Sequence, residues 1–181
     1  MLERACTGDP SALGEFFDHY FARVFATVRR LVGDPTAAED ITQDVFLKVH
    51  RHMNRLDPAR DPAPWLFTVA LNACRDFWRS ESWRRARRTV PLEDPSIALQ
   101  LHAKGAGPEQ AFAQAEDQRR LLEAIDRLPP PLRAAVVLRE CEGLDHREIA
   151  DLTRVNYAAS RKRHSRGLQA LGELLREGES R

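Results

Sequence analysis

Cysteine is scarce in this chain of 181 residues, and its placement excludes two classes of small stabilised protein. The three cysteines, Cys6, Cys74 and Cys141, are odd in number and far apart along the chain. Such spacing matches neither a disulfide framework nor a zinc site of the paired CxxC type. The six histidines show no ligand spacing either. We therefore expect buried free thiols and no metal site.

Long apolar runs are also absent. No stretch approaches the roughly 20 apolar residues needed to span a bilayer, and the N-terminal sequence MLERACTGDP lacks the apolar segment of a signal peptide. A cytoplasmic protein with no membrane insertion is predicted. The sequence contains no glycine-rich phosphate loop and no nucleophile elbow, so we expect neither a cofactor nor enzymatic activity.

The whole chain is nearly neutral, with a formal net charge of +1, but some of its segments lack acidic residues and another lacks basic residues. Residues 153–170 contain four arginines and Lys162 but no acid, and residues 71–90 contain six arginines against Asp76 and Glu81. Residues 34–44 contain four acids and no base. Two basic surfaces and one acidic surface are therefore predicted, which excludes a uniformly basic nucleic-acid-binding protein.

Apolar residues recur at helical spacing, and turn formers separate the helices. Asp34-Pro35 and Asp61-Pro62 each have the form of an N-cap followed by proline, while Gly33 follows the first apolar stripe. Prolines and glycines interrupt the pattern over residues 89–108. The sequence thus predicts an all-α fold of two small helical domains, residues 1–88 and 109–181, joined by a flexible linker, residues 89–108.

The second domain contains the pattern of a helix-turn-helix. Asp145 and Glu148 form a capping box, and Asn156 is the next candidate N-cap after a turn of three residues. The residues expected to face inward are Ile149, Leu152, Val155 and Leu168. The residues expected to face outward, where a recognition helix contacts the major groove, are Tyr157, Ala158, Arg161, Lys162 and Ser165. The alternative is a solvated amphipathic helix, which normally mixes both charge signs.

The two halves together resemble the sigma-70 family, specifically its small extracytoplasmic-function (ECF) group. Three segments show the resemblance, in the order typical of the family: GDPTAAEDITQDVFLKV at 33–49, PWLFTVALN at 64–72, and LPP at 128–130 with EGL at 142–144. The resemblance implies a sigma factor that binds core RNA polymerase and directs promoter recognition and DNA melting. An anti-sigma factor is an additional partner that the resemblance leaves open.

The resemblance also implies roles for individual residues. Contacts with the polymerase clamp helices are implied for Asp40, Gln43, Asp44 and Phe46, with a core position as the alternative for Phe46. Binding of the −10 DNA is implied for Asn72, Arg75, Arg79, Arg84 and Arg85, and the loop at 54–61 would receive an unstacked base. Binding of the −35 DNA is assigned to Tyr157, Ala158, Arg161, Lys162, Ser165 and Arg166, with Arg161 and Lys162 reading base edges.

The recognition helix departs from the family pattern at three positions. Ser160 and His164 stand where apolar residues are usual, and Arg154 replaces a usual glycine. Among the tryptophans, Trp65 is expected in the core, whereas Trp78 and Trp83 could stack on unpaired bases.

Two other classes of protein remain as alternatives. A helix-turn-helix repressor or activator would bind duplex DNA alone as a dimer, which a gel shift without polymerase would reveal. A helical adaptor would bind a protein and no DNA, but the acid-free segment at 153–170 argues against it.

Overall fold

A computed structural model shows an all-helical protein and describes residues 1–80 and 108–179. Its helices are α1 (Leu2–Cys6), α2 (Pro10–Val32), α3 (Pro35–His52), α4 (Ala63–Arg79), α5 (Pro108–Arg127), α6 (Pro130–Val136), α7 (His146–Thr153) and α8 (Tyr157–Glu179). A 3₁₀ turn, Met53–Arg55, follows α3, and a π-helical turn, Val137–Cys141, follows α6. The predicted all-α class with two helical domains is confirmed, whereas the predicted linker lies almost entirely outside the described residues.

The turns of the first domain follow the local signals of the sequence. Gly33 ends α2 at a φ of 86°, in the left-handed region that glycine adopts without strain. Asp34 then caps α3, because its carboxylate accepts a hydrogen bond from the Ala37 backbone N–H at 3.0 Å. Asp61 accepts a similar bond from Ala63 at 2.9 Å, although α4 begins one residue later than the proline suggests.

The core of the first domain forms where α2, α3 and α4 pack together. The whole apolar stripe of α3 is buried, and so is the residue that follows the helix: Ala38, Ile41, Thr42, Val45, Val49 and Met53. Phe16 of α2 and Leu66 of α4 are at most 1% exposed. The helical period of apolar residues therefore predicted this core correctly. The short helix α1, which the sequence analysis did not predict, packs on α2 through Ala5.

In the second domain, α8 lies unusually close to α6. A Cβ atom added to Gly167 would lie 2.5 Å from Val136 Cγ2 and 3.1 Å from the Leu132 carbonyl oxygen. The inner face of α8 passes through Ser160, Gly167 and Leu171, all buried. The prediction that Leu168 faces inward is wrong. One residue after the buried Gly167, the helix has turned by about 100°, and Leu168 is 42% exposed.

The helix-turn-helix forms as its caps predict. Asp145 accepts hydrogen bonds from the Arg147 and Glu148 backbone N–H groups, and the Glu148 carboxylate accepts one in return, which completes the capping box. Asn156 caps α8 through a 2.8 Å bond from the Ala159 N–H. Arg154 occupies the turn at a φ of 53°. A left-handed conformation at this position explains why glycine is usual there in the family.

The two domains meet along a seam with buried polar contacts. The Glu142 side chain, 2% exposed, pairs with Arg23 of α2 at 2.8 Å and accepts a hydrogen bond from the Thr27 hydroxyl. Arg133, 2% exposed, donates to the Leu31 carbonyl oxygen at 3.0 Å. Arg75 donates to the Leu152 carbonyl oxygen at 2.8 Å. Because buried charges are tolerated only with such partners, the seam is a specific contact.

Within the described ranges, no helix has the length and apolar character required to cross a membrane.

Candidate nucleic-acid interface

The acidic face of α3 is exposed in the structure. Asp40, the adjacent pair Gln43 and Asp44, and Leu47 follow one another at steps of three or four residues and all lie on the solvent side of the helix. Leu47 is 55% exposed. The structure therefore brings together three of the four residues predicted to bind polymerase and adds an apolar side chain beside them.

Phe46 belongs to the core instead of to this exposed face. Its side chain is buried, at 7% exposure, and its ring centroid lies 5.2 Å from Phe17 and 5.5 Å from Phe21. The structure therefore agrees with the alternative prediction for Phe46, a position in the core. Phe21, at 46% exposure, is the aromatic ring that reaches the surface here. The sequence analysis did not single out Phe21, because only the packing of α2 against its neighbours shows which of its phenylalanines faces solvent.

Three of the residues assigned to −10 DNA share one face of α4. Asn72 and Arg75 are joined by a 3.0 Å hydrogen bond, and Arg79 is exposed one turn further along. Burial lowers the pKa of Arg75, and the charges of Arg154, Arg79 and Arg163 lower it further. This end of α4 is therefore strongly cationic. The assigned residues Arg84 and Arg85 lie outside the described residues, as does Trp83.

The two described tryptophans are partly buried. Trp65 and Trp78 both pack against the core of the first domain. Trp65, which was expected in the core, therefore lies at the edge of the core. The indole N–H of Trp78 is buried and has no hydrogen-bond partner among the described groups.

The outer face of α8 presents the residues that the helix-turn-helix pattern predicts. A surface depression is lined by Tyr157, Ala158, Arg161, Lys162 and Ser165. All five are exposed, and the Arg161 guanidinium lies 6.0 Å from the centre of the Tyr157 ring. Arg166 is exposed at the edge of this face. This exposed, acid-free helix surface suits a negatively charged groove.

The cysteines show no sign of reactivity or ligation. Cys74 is buried, and burial raises the pKa of its thiol to about 12, so the thiolate is not formed near neutral pH. Cys6 is half-buried, but Cys141 is exposed, so the expectation of a buried thiol is wrong there. Among the residues that the structure describes, no group of three or more His, Cys, Asp or Glu side chains is placed to hold a metal ion.

Comparison with known sequences supplies the family. The model of sigma-70 region 2 matches residues 16–84, and the model of sigma-70 region 4 matches residues 118–171. The RNA polymerase sigma factor CarQ of Myxococcus xanthus is 34% identical over 176 residues, which covers 97% of this chain and 96% of CarQ. The chain belongs to the sigma-70 family. The family resemblance of the sequence is thereby confirmed, and a sigma factor is a non-enzymatic transcription initiation factor.

Further relatives place this sigma factor in the ECF group. The ECF RNA polymerase sigma factor SigW of Bacillus subtilis is 26% identical, with 97% of this chain and 95% of SigW covered. The fold is shared with sigma factor RpoE of Bartonella quintana, solved with the anti-sigma factor NepR, at a TM-score of 0.69 and 21% identity over 90% of this chain and 96% of RpoE. It is also shared with CnrH, solved with the cytosolic domain of CnrY, at a TM-score of 0.66 and 22% identity over 97% of this chain and 95% of CnrH.

Proposed function

We propose that this ECF sigma factor works in the cytoplasm, docks on core RNA polymerase through the outer face of α3, opens the −10 element with α4, and holds the −35 duplex with α8. The separation of one acidic and two basic surfaces on different helices is the observation that supports this division. No covalent chemistry is required, because binding energy alone drives the steps.

The polymerase-binding part of the proposal involves Asp40, Gln43 and Asp44 as direct contacts. Carboxylates on an exposed helix face complement a basic partner and accelerate its association. Leu47 gives the same face an apolar centre that a partner would cover. Because Phe46 is buried, we assign it the role of supporting α3 from below, through its contacts with Phe17 and Phe21.

The −10 part of the proposal involves Asn72, Arg75 and Arg79 of α4, with Arg84 and Arg85 following in sequence. Arg75 donates to the Leu152 carbonyl oxygen of α7 in this structure, so its guanidinium is engaged by the second domain. The −10 and −35 elements lie about 25 base pairs apart, which is about 85 Å at 3.4 Å per base pair. The proposal therefore requires the two domains to separate when both elements are bound.

The −35 part of the proposal involves two kinds of contact on α8. Arg161 and Lys162 face outward from the centre of the exposed surface and are assigned to base edges, together with Tyr157, Ala158 and Ser165. Arg166 lies at the edge and is assigned to phosphate. Residues 1–88 and 109–181 are proposed as the functional units. An anti-sigma factor is proposed as a further, inhibitory partner.

In vitro transcription with purified core polymerase tests this function. We expect initiation from a specific set of promoters only when the chain is added, and weak, unspecific duplex binding by the chain alone. Tight sequence-specific binding without polymerase would contradict the proposal and favour the repressor alternative. Replacing Asp44 with Ala should reduce co-purification with polymerase, whereas replacing the exposed Asp151 of α7 with Ala is the matched charge control.

A further inference from the structure

The inner face of α8 contains one large side chain between two small ones, and that side chain is a histidine. His164 lies between Ser160 and Gly167, which are both buried. The His164 side chain is 15% exposed. Because its neighbours contribute little bulk, His164 fills the space on this part of the inner face of α8, one turn before the close approach at Gly167.

Glu140 holds His164 on one side. The Nε2 atom of His164 lies 2.8 Å from Oε1 of Glu140. Glu140 belongs to the π-helical turn Val137–Cys141, a rare form that rotates its side chains relative to an α-helix and recurs at functional sites. His164 can donate this hydrogen bond from Nε2 in its neutral or its charged form. The contact thus ties α8 to the end of α6.

His146 lies on the other side of His164 and connects it to the outer face of α8. The two imidazole centroids are 5.2 Å apart. His146 also meets the Tyr157 ring edge to face at 6.2 Å, and Tyr157 in turn contacts Arg161. The Nδ1 atom of His146 is buried without a hydrogen-bond partner among the described groups. A continuous series of contacts therefore runs from Glu140 to two residues on the exposed surface.

The surroundings of His146 oppose its protonation. Burial lowers the pKa of His146, and the charges of His164, Arg139 and Arg161 lower it further, against a smaller opposite effect of Asp145. His146 is therefore neutral at neutral pH and packs between Tyr157 and His164. Protonation in acid would place its charge beside His164 and Arg161, while Asp145 is the acid that favours the charged form.

We propose that His164 and His146 form a packed support that positions Tyr157 and Arg161 against the −35 duplex, so that base preference at this element is lost when His146 takes up a proton. The proposal rests on the function proposed for α8 and adds two positioning residues to it. Neither histidine contacts DNA in this account. Acid separates the start of α7 from α8 and moves the two outer residues away from their productive positions.

The experiment measures −35 preference by the complete holoenzyme at two pH values. The readout is the ratio of transcription from a promoter selected with this holoenzyme to transcription from the same promoter with its −35 sequence scrambled. The ratio cancels effects of pH on catalysis by the polymerase itself. The variants are His146→Phe, which keeps a ring against Tyr157 but cannot take a charge, His164→Gln, which keeps a donor toward Glu140, and His164→Leu. His19→Phe, at an exposed position on α2, is the matched control.

For the wild type, we expect the ratio to fall about tenfold between pH 7.5 and about pH 5.5, because the lowered pKa of His146 delays its protonation to below the usual histidine range. A tenfold change lies within the range that one base-reading side chain contributes. His146→Phe and His164→Gln should keep a high ratio at both pH values, and His164→Leu should have a low ratio at both. His19→Phe should follow the wild type. A wild-type ratio that does not change with pH, or an acid-induced fall that persists in His146→Phe, would overturn the proposal. A wild type with promoter-specific transcription but no −35 preference at pH 7.5 would instead contradict the role of α8 itself.

Discussion

Helices α3 and α8 both present a charged face to solvent, but their inner faces are built differently. The inner face of α3 consists mainly of β-branched and aromatic residues, including Val45 and Phe46, which fill the first domain with bulk. The inner face of α8 has small and polar residues in its first half, Ser160, His164 and Gly167, before Leu171, and Gly167 lets the backbones of α8 and α6 approach closely. The difference shows that bulky buried side chains fix α3 in place, whereas close backbone approach and hydrogen bonding fix α8.

The largest expected effect comes from removing volume beneath α3. Phe46→Ala should destabilise the first domain by about 3 to 5 kcal/mol, because it removes a buried ring that contacts Phe17 and Phe21. Asp44→Ala should change stability by no more than about 0.5 kcal/mol while weakening polymerase binding. Urea unfolding and polymerase co-purification measure the two properties separately. A fully stable Phe46→Ala variant would show that α3 is not held by volume.

Adding volume beneath α8 should also destabilise the protein, but by less. The new methyl group of Gly167→Ala would meet Val136 and the Leu132 backbone, so we expect a loss of about 1 to 3 kcal/mol. Gly172→Ala is the matched control on the same helix, because the nearest atom to its Cβ is Arg176 Nη1 at 3.8 Å. That control should stabilise α8 by up to about 1 kcal/mol. Equal effects of the two variants in thermal unfolding would argue against the close approach.

The same contrast explains how much of the structure could be predicted from the sequence. Regular apolar spacing identified the buried stripe of α3, and the Asp34, Asp145 and Asn156 caps gave helix starts, because both signals are local. Leu168 was misplaced because the first half of the inner face of α8, with Ser160, His164 and Gly167, has no apolar side chain to define the rotation of the helix. The π-helical turn and the seam involving Glu142 depend on contacts between segments far apart in sequence, which no local pattern encodes.

The candidate site follows the same rule. The exposed residues of α8 were predicted individually, since helical spacing fixes their common direction. The burial of Phe46 and the exposure of Phe21 could not be separated from sequence, because both residues lie beside apolar stripes. Likewise, the contact between His146 and His164 joins two helices whose relative placement only the fold determines.

A smaller effect is expected at the seam, which is where the two kinds of packing meet. Glu142→Ala removes the partner of Arg23 and of the Thr27 hydroxyl, and should destabilise domain docking by about 1 to 2 kcal/mol. Arg23→Ala should reduce the stability of domain docking more than the 48% exposure of Arg23 suggests, because Glu142 would remain buried without its ion partner. Urea unfolding with probes in each domain measures the coupling. If neither variant changed the unfolding of either domain, the seam would not be a stabilising contact in solution.

The smallest effect concerns the cap that starts α7. Hydrogen bonds from the Glu148 and Arg147 backbone N–H groups lower the pKa of Asp145 in the folded protein. A lowered folded pKa means that the stabilisation is present above the usual carboxyl pKa and is lost as pH falls through the folded value. Asp145→Asn keeps a capping oxygen but does not titrate. Unfolding measured from about pH 5 to about pH 3 should therefore show a shallower loss of stability for the variant. Identical acid profiles would contradict this assignment.

The most direct test of the whole account is transcription by the holoenzyme from a library of −35 sequences at two salt concentrations. Arg161→Ala and Lys162→Ala should each relax preference at particular −35 positions, since a base-edge contact contributes about 1 to 3 kcal/mol of discrimination. Arg166→Ala should instead lower initiation from all promoters equally and reduce the salt dependence by about one unit of slope. If all three variants lowered output uniformly, α8 would be an electrostatic anchor, and the claim that its outer face reads the promoter would be contradicted.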